Sequence, residues 1–196
     1  MSGLAATLRA SSVINLSSAV TMVVDDSPFA LDLTCQALLG FGIRTRFACR
    51  SAADAISILK ESPVDLLLVD CEMPGTDGFE LVRWLRRSGL DPNAFCPVIM
   101  TAAHLRHSRA TEARDCGASF VIVKPFSAIA LLERIVWVSR DQRPFLEVGE
   151  YFGPDRRFRD GAPPAEERRA QMILKAAATS AAAPPSEVMV QSSLVS

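Results

Sequence analysis

Five polar residues that could carry chemistry stand where apolar runs of the sequence end. In chain order they are Asp25, Asp26, Asp70, Thr101 and Lys124. The runs before them are short and largely apolar, which predicts that each run is a strand. Because functional groups of an open parallel α/β sheet collect at the carboxyl ends of its strands, these side chains are expected to meet at one edge.

The residue types at these positions suit phosphoryl chemistry. Three carboxylates held together repel one another, and the pKa of at least one rises unless a cation neutralises them. Hard oxygen ligands favour Mg²⁺, so the aspartates predict a magnesium site. An ionised Asp70 can then attack a phosphoryl group and form an acyl phosphate. Lys124 can place a positive charge beside the transferred group, and the Thr101 hydroxyl can donate a hydrogen bond to it.

The elements that must position these residues follow from the pattern between residues 19 and 140. Short β-rich runs alternate there with helical stretches in five βα units, which predicts an α/β fold with helices on both faces of a parallel sheet. The predicted strands are Val20–Val24, Ile43–Phe47, Asp65–Val69, Pro97–Thr101 and Phe120–Val123. The predicted helices begin near Pro28, Ser51, Asp77, Leu105 and Ser127.

The rest of the 196-residue chain differs in character from this α/β region. We predict a flexible N-terminal segment over residues 1–18 and one domain over residues 19–140. Frequent Pro and Gly beyond the domain predict a non-globular extension that begins with a Pro/Arg-rich extended arm over residues 141–163. Two glutamates followed by Ala-rich sequence predict a helix over residues 164–183. Residues 184–196 are expected to form a disordered tail.

Composition argues against several classes of function. A hydrophobic fraction of 49% with 22% charged residues is typical of a globular protein, and the net charge of −1 gives no global attraction to nucleic acid or to an anionic membrane. The five cysteines form no CxxC pair, so neither a disulfide framework nor a zinc site is indicated. No apolar run resembles a signal peptide or approaches the roughly 20 residues of a membrane span, so the cytoplasm is the expected compartment.

Together the motifs resemble those of the receiver domains of two-component response regulators. The resemblance rests on DDSP at 25–28, DCEMPGTDG at 70–78, TAA at 101–103 and KPF at 124–126. It covers about residues 19–140 and implies a flavodoxin-like, doubly wound (βα)5 sheet with strand order 2-1-3-4-5. It also implies a phosphoprotein that takes part in phosphorelay signalling.

Carried over to this chain, the metal site of the family is formed by four residues. Asp26 and Asp70 are implied to ligate Mg²⁺ directly, and Asp25 is implied to do so through a water molecule. The backbone carbonyl of Glu72 is implied as a further ligand. Asp70 is also the implied phosphoacceptor, so the metal and the transferred group share this residue.

The resemblance implies that Thr101 and Lys124 bind the phosphoryl group and that the bond between Lys124 and Pro125 is cis. The switch aromatic of the family corresponds to Val121 here, and Phe120 stands one residue earlier. Because neighbouring side chains of a strand point to opposite faces, Phe120 is not a simple substitute. We therefore predict an atypical relay from the site to the surface of the domain.

Two alternatives exist for the acidic residues. Asp25, Asp26 and Ser27 stand before Pro28 and can instead cap the first helix. A phosphatase of the haloacid dehalogenase type also uses an aspartate nucleophile, but it needs a second aspartate two residues later, where this chain has Glu72. The phosphatase interpretation is therefore disfavoured. No enzyme activity is predicted beyond self-phosphorylation from a donor and slow autodephosphorylation.

Two segments outside the site suggest contacts with partners. The helix predicted over Ser127–Ser139 is apolar on more than one face, so it is expected to dock the arm, with Phe145, Tyr151 and Phe152, or to form a homodimer. The arm carries RRFR at 156–159, which could hold the phosphates of RNA or of a nucleotide. Acidic residues interleave with these arginines, so a solvated arm is the favoured interpretation.

The sequence thus predicts a single-domain response regulator without a membrane partner. A histidine kinase or phosphotransfer protein would donate the phosphoryl group to Asp70, and the altered surface would bind a downstream protein. The alternative hypothesis is a receiver scaffold that binds a nucleotide or RNA through the arm.

Overall fold

The computed structural model describes residues 16–103 and 107–156 of the chain. Its parallel strands are β1 (Thr21–Val24), β2 (Thr45–Cys49), β3 (Leu66–Asp70), β4 (Val98–Ala102) and β5 (Phe120–Val123). Its helices are α1 (Pro28–Gly40), α2 (Ala52–Leu59), α3 (Gly78–Arg87), α4 (His107–Asp115) and α5 (Ala128–Ser139). A 3-10 turn over Asn93–Phe95 precedes β4.

The five strands form one parallel sheet in the order β2-β1-β3-β4-β5. This order confirms the predicted flavodoxin-like α/β fold. All five residues of β3 are buried, as expected for a central strand whose apolar run is continuous. The core lies in two layers, because α2, α3 and α4 cover one face of the sheet and α1 and α5 cover the other.

Side-chain caps fix where the helices begin and hence where the loops of the sheet edge run. Ser27, Ser51, Asp77 and Ser127 each have extended backbone and accept a hydrogen bond from the backbone N–H three residues later. Such a cap satisfies one of the donors that the first turn of a helix leaves without an intrahelical partner.

The predicted second strand, Ile43–Phe47, was placed two residues too early. Gly42 has φ +78°, and the backbone N–H of Ile43 donates to the Leu38 carbonyl at 3.0 Å. This is the hydrogen-bond pattern of a Schellman helix end, which recruits an apolar residue just beyond the glycine. Ile43 therefore packs with Leu38 in the core as part of the end of α1, and the strand begins only at residue 45.

A β-hairpin occupies the first part of the predicted arm, residues 141–163. Its strands, β6 (Phe145–Val148) and β7 (Tyr151–Pro154), are antiparallel and are joined at Gly149, which has φ +59°. The Phe145 and Phe152 rings lie 5.2 and 5.4 Å from the Phe95 ring. This segment is thus a packed hairpin and not an extended arm, since aromatic contacts order it against the domain.

The predicted docking of Phe145, Tyr151 and Phe152 on α5 was wrong for these residues. They lie beside α3 and the 3-10 turn, whereas the segment that connects α5 to the hairpin contacts α5. There the Arg143 guanidinium carbon lies 5.1 Å from the centre of the Trp137 ring. The alternative prediction for α5, a homodimer, stays a prediction.

Several predictions fall on residues outside the described ranges. They concern most of the N-terminal segment over residues 1–18, the end of the arm, the helix over residues 164–183 and the tail over residues 184–196. Among the helices that the structure does describe, none is long and apolar enough to cross a membrane.

Candidate phosphoacceptor site

Three aspartates meet at the carboxyl edge of the sheet. Asp25 and Asp26 follow β1, and Asp70 is the last residue of the adjacent strand β3. Each of the three offers a carboxylate oxygen, and these oxygens lie within 4.8 Å of one another. Asp25 and Asp70 are only 3% and 9% exposed, so the cluster holds negative charge away from bulk water.

Lys124, directly after β5, reaches across the sheet edge to two of these carboxylates. Its Nζ lies 2.8 Å from Asp25 Oδ2 and 2.9 Å from Asp70 Oδ1. Its backbone N–H donates to the Ala102 carbonyl at 2.7 Å, which extends the pairing of β5 with β4 to the lysine itself. The following peptide bond, to Pro125, is cis.

Thr101 pairs with Asp70 across strands β4 and β3. Its Oγ1 donates to Asp70 Oδ1 at 3.2 Å, and its backbone carbonyl accepts from the Cys71 N–H at 2.8 Å. Neighbouring parallel strands that end in register therefore place the hydroxyl beside the carboxylate. The structure thus brings together all five side chains that the sequence selected.

The two aspartates after β1 have different roles in the structure. Asp25 Oδ1 accepts a hydrogen bond from the Ser27 N–H at 3.0 Å, and Oδ2 is taken by Lys124. Ser27 Oγ caps α1 by accepting from the Ala30 N–H. Asp26 has no hydrogen bond or ion pair with any residue that the structure describes. Helix capping therefore explains Ser27 and leaves Asp26 available for a ligand.

Comparison with known proteins identifies this arrangement. A family model for the response regulator receiver domain matches residues 21–136 of the chain. This chain belongs to the response regulator receiver family. The receiver domain is 27% identical over 114 residues to chemotaxis protein CheY-3 of Vibrio cholerae, an alignment that covers 58% of this chain and 86% of that protein.

Two further relatives show in what contexts such a domain occurs. The solved structure of chemotaxis protein CheY4 of Vibrio cholerae matches with a TM-score of 0.57 and 26% identity, over 61% of this chain and 98% of that chain. Histidine kinase 1 of Arabidopsis thaliana is 27% identical over 84 residues, or 43% of this chain, yet the chain spans only 7% of its length. The matched region thus makes up nearly all of CheY4 but only a small part of histidine kinase 1.

The receiver site has an excess of negative charge, which favours binding of a cation. Burial raises the pKa of the Asp70 carboxyl, and the charge of Asp25 acts in the same direction, while hydrogen bonds from Lys124 and Thr101 oppose it. Burial acts to lower the pKa of Lys124, but its hydrogen bonds to Asp25 and Asp70 outweigh burial and raise that pKa. One ammonium group therefore faces three carboxylates, which suits a divalent cation.

Gly78, the first residue of α3, closely approaches the backbone of Asp70. A Cβ atom added to Gly78 would lie 2.0 Å from the Asp70 carbonyl oxygen. The Gly78 N–H also donates to the Cys71 carbonyl at 3.2 Å, so the first residue of α3 packs directly on the backbone of Asp70 and Cys71. Glu72, in this loop, has an exposed side chain, and its carbonyl stays a predicted ligand.

Replacement of this glycine tests whether the close approach holds the site in shape. Gly78→Ala is expected to lower the free energy of unfolding by about 2 kcal/mol, because the new methyl group forces backbone away from the Asp70 carbonyl. It should also slow phosphoryl incorporation. Urea denaturation and a phosphorylation time course measure the two effects.

Gly40→Ala is the matched control for this substitution. A Cβ atom at Gly40 would meet nothing within 4 Å, and the residue lies in the last turn of α1. Its variant is expected to keep or slightly increase stability. Equal behaviour of the two variants would show that the approach of Gly78 to Asp70 is unimportant.

The structure places Val121, the atypical switch position, and its neighbour Phe120 on opposite faces of the sheet. Val121 packs with the core layer under α2, α3 and α4, whereas Phe120 packs with the opposite layer. The Phe120 ring lies 5.6 Å from the Trp137 ring, and the Arg134 guanidinium carbon lies 4.7 Å from its centre. Phe120 is thus enclosed by α5 on the far side of the sheet from Val121 and does not stand in the place of the switch aromatic.

Proposed function

We propose that this receiver domain accepts a phosphoryl group on Asp70 from a histidine kinase or phosphotransfer protein and signals by contact with a downstream protein. The observation that carries the proposal is the arrangement around Asp70 Oδ1, which accepts hydrogen bonds from both Lys124 and Thr101. These are the two groups that can hold the oxygens of a phosphoryl group on the same side of the carboxylate.

The acidic cluster fits a magnesium ion. Its donors are hard carboxylate oxygens with excess negative charge, and they lie close enough to share one ion. Asp26 and Asp70 would hold the ion directly, Asp25 through water because both its oxygens are already engaged, and Glu72 through its carbonyl. When bound, Mg²⁺ would offset the charge of the cluster and of the phosphoryl oxygens.

The transfer step needs only a positioned carboxylate and positioned donors. Asp70 Oδ1 would attack the phosphorus of a phosphohistidine on the donor protein. The new O–P bond forms as the N–P bond breaks, and the electron pair of that bond returns to the imidazole nitrogen. Lys124 and Thr101 would then move their hydrogen bonds from the carboxylate to the oxygens of the transferred group.

Exposed apolar residues surround the edge where a donor protein must approach. Phe29 and Leu33 on α1 are 78% and 60% exposed, and Ile129 at the start of α5 is 58% exposed. Both helices begin at the carboxyl edge of the sheet, beside the phosphoacceptor site. Such side chains can supply the apolar centre of a transient protein interface. We place this exchange in the cytoplasm.

Phosphorylation by a small donor tests the proposal without knowledge of the kinase. Acetyl phosphate with Mg²⁺ is expected to add one phosphoryl group per chain, because the residues that hold the group belong to the receiver itself. Intact-mass spectrometry measures the addition. Asp70→Asn should abolish it, and the same reaction with EDTA should be strongly suppressed.

Asp32→Asn is the control for the loss of a carboxylate, since Asp32 lies exposed on α1. This variant should incorporate the phosphoryl group like the unaltered protein. Incorporation that persists in Asp70→Asn would place the phosphoacceptor elsewhere and overturn the proposal.

A further inference from the structure

A second polar cavity lies between α3, the end of α4 and the hairpin. Its volume is about 250 Å³, and it is lined by four arginines but only two acidic residues. The arginines are Arg83, Arg86, Arg87 and Arg156, and the acidic residues are Asp115 and Glu150. The adjoining Gly117 precedes β5, so the cavity lies towards the amino end of that strand, whereas Lys124 and the phosphoacceptor site lie beyond its carboxyl end.

Arg86 is the central charge of this cavity. Its side chain is buried, with 3% of the residue exposed. Nε donates to the Gly117 carbonyl at 3.0 Å, and Nη1 donates to the Ala94 and Cys96 carbonyls at 2.7 and 2.9 Å. Nη2 is also buried and has no hydrogen-bond partner in the part of the chain that the structure describes. No carboxylate among the described residues forms an ion pair with this guanidinium.

A buried cation without a counter-ion is costly, even when carbonyl dipoles solvate part of it. The cost is visible at Arg86, where burial lowers the pKa of the guanidinium. An anion bound beside Arg86 would accept a hydrogen bond from Nη2 and would balance the charge of the guanidinium. The fork of a guanidinium suits phosphate and carboxylate oxygens.

Arg156 supplies a second buried donor to the same cavity. Its Nη1 forms an ion pair with Asp115 Oδ1 at 3.0 Å, and its guanidinium carbon lies 3.6 Å from the centre of the Tyr151 ring. Its Nε is buried and has no hydrogen-bond partner among the described residues. Two guanidinium groups from separate parts of the chain thus line one cavity, each with a buried N–H that no group of residues 16–103 and 107–156 accepts.

Arg83 and Arg87 each have one polar partner among the described residues. Arg83 forms an ion pair with Glu112 at 2.8 Å, and Arg87 Nη2 donates to the Glu150 carbonyl at 2.6 Å. That carbonyl carries no net charge. Arg87 and Arg86 therefore keep their positive charge uncompensated by a carboxylate of the described residues, and the cavity as a whole is electropositive.

We infer that this cavity binds the phosphate group of a small molecule, with Arg86 and Arg156 as its principal ligands. Its volume of about 250 Å³ lies below the usual range of about 300–1,000 Å³ for drug-sized ligands. It accommodates a phosphate or diphosphate group and not an RNA strand. The inference does not depend on phosphorylation of Asp70, because the two sites share no residue.

Binding of inorganic pyrophosphate to the full chain tests the inference. The Asp70→Asn variant in EDTA serves as the parent, so that the acidic site can contribute neither metal nor phosphoryl chemistry. At a tenfold excess of pyrophosphate over its dissociation constant, the melting temperature is expected to rise by about 3 °C. Calorimetry gives the affinity, which should fall as the salt concentration rises.

Arg156→Gln in this parent is expected to weaken pyrophosphate binding about tenfold, through loss of a charge-assisted hydrogen bond. Arg114→Gln is the matched control, because Arg114 Nε also contacts Asp115, at 3.1 Å, but does not line the cavity. It should bind like the parent. Equal affinities of the two variants would overturn the inference.

A direct readout at Arg86 avoids a substitution that could unfold the domain. Pyrophosphate is expected to shift the Nε and Nη side-chain resonances of Arg86 in ¹⁵N NMR spectra. Unchanged resonances, or binding of an RNA oligonucleotide without binding of pyrophosphate, would show that the inference is wrong. Parallel titrations with inorganic phosphate and ADP identify the source of the group: ADP as tight as pyrophosphate indicates a nucleotide, and weaker ADP indicates a smaller phosphate compound.

Discussion

Asp70→Asn is expected to raise the free energy of unfolding of the magnesium-free protein by about 1 kcal/mol and to abolish most of its stabilisation by magnesium. The aspartate holds a buried negative charge beside two further carboxylates, whereas asparagine has no charge. The amide oxygen still accepts hydrogen bonds from Lys124 and Thr101. The unaltered protein should gain about 2.7 kcal/mol at a magnesium concentration 100 times its dissociation constant.

The pH dependence of this difference has a definite sign. Burial raises the pKa of Asp70 in the folded protein above its ordinary value of 3.8, so the folded protein binds this proton more tightly than the unfolded chain. The contribution of Asp70 to the free energy of unfolding of the magnesium-free protein therefore falls as the pH rises from about 3.8 through the raised pKa, and is constant above it. Asp70→Asn should lack this contribution.

Urea denaturation in EDTA across that pH range measures the effect. The advantage of Asp70→Asn over the unaltered protein is expected to grow with pH and then to level off. Asp32→Asn, which removes an exposed carboxylate on α1, should show no such trend. A variant at position 70 that still gains stability from magnesium would show that the ion is held without this carboxylate.

The site could be predicted from the sequence because its residues lie at or directly after the ends of strands. Asp70 and Thr101 end neighbouring parallel strands in register, and Lys124 follows the next strand along the sheet. A parallel sheet brings such ends to one edge whatever the details of its helices. The apolar runs that marked the strands therefore also located the side chains of the candidate site.

Close approaches between distant segments could not be predicted in this way. A Cβ atom at Gly117 would lie 2.5 Å from the Phe152 carbonyl oxygen, and one at Gly153 would lie 2.8 Å from the Gly117 Cα. Gly117 lies in the turn after α4 with φ +94°, whereas Gly153 lies within β7, and the two are far apart in sequence. Their pairing exists only once the hairpin rests on the domain, so local patterns carry no sign of it.

Arg86 illustrates the same limit for charged residues. On the sequence it is one of two adjacent arginines at the end of a helix, where cations commonly face solvent and the helix dipole. In the structure its neighbour Arg87 does lie exposed, while Arg86 is buried and bonded to three carbonyls. The hairpin strand that carries Phe145 covers it, at 5.0 Å from the ring centre to the guanidinium carbon. Burial by a segment about 60 residues away is a property of the tertiary fold.

The hairpin is accordingly expected to contribute strongly to the stability of the receiver. A chain that ends at Arg140 should have a free energy of unfolding at least about 3 kcal/mol below that of a chain that ends at Arg156, because it loses the packing of Phe145 and Phe152 on Phe95. The corresponding difference in melting temperature is about 6–12 °C for a domain of this size. Denaturation by urea and by heat measures both quantities in the absence of magnesium.

Two single substitutions distinguish specific packing from a general effect of chain length. Phe152→Ala in the full chain should reproduce much of the loss, since the ring contacts both Phe95 and Phe145. Val148→Ala should be nearly neutral, because Val148 is 68% exposed beside the turn of the same hairpin. If the chains that end at Arg140 and at Arg156 have the same free energy of unfolding, the hairpin packs on the domain without stabilising it.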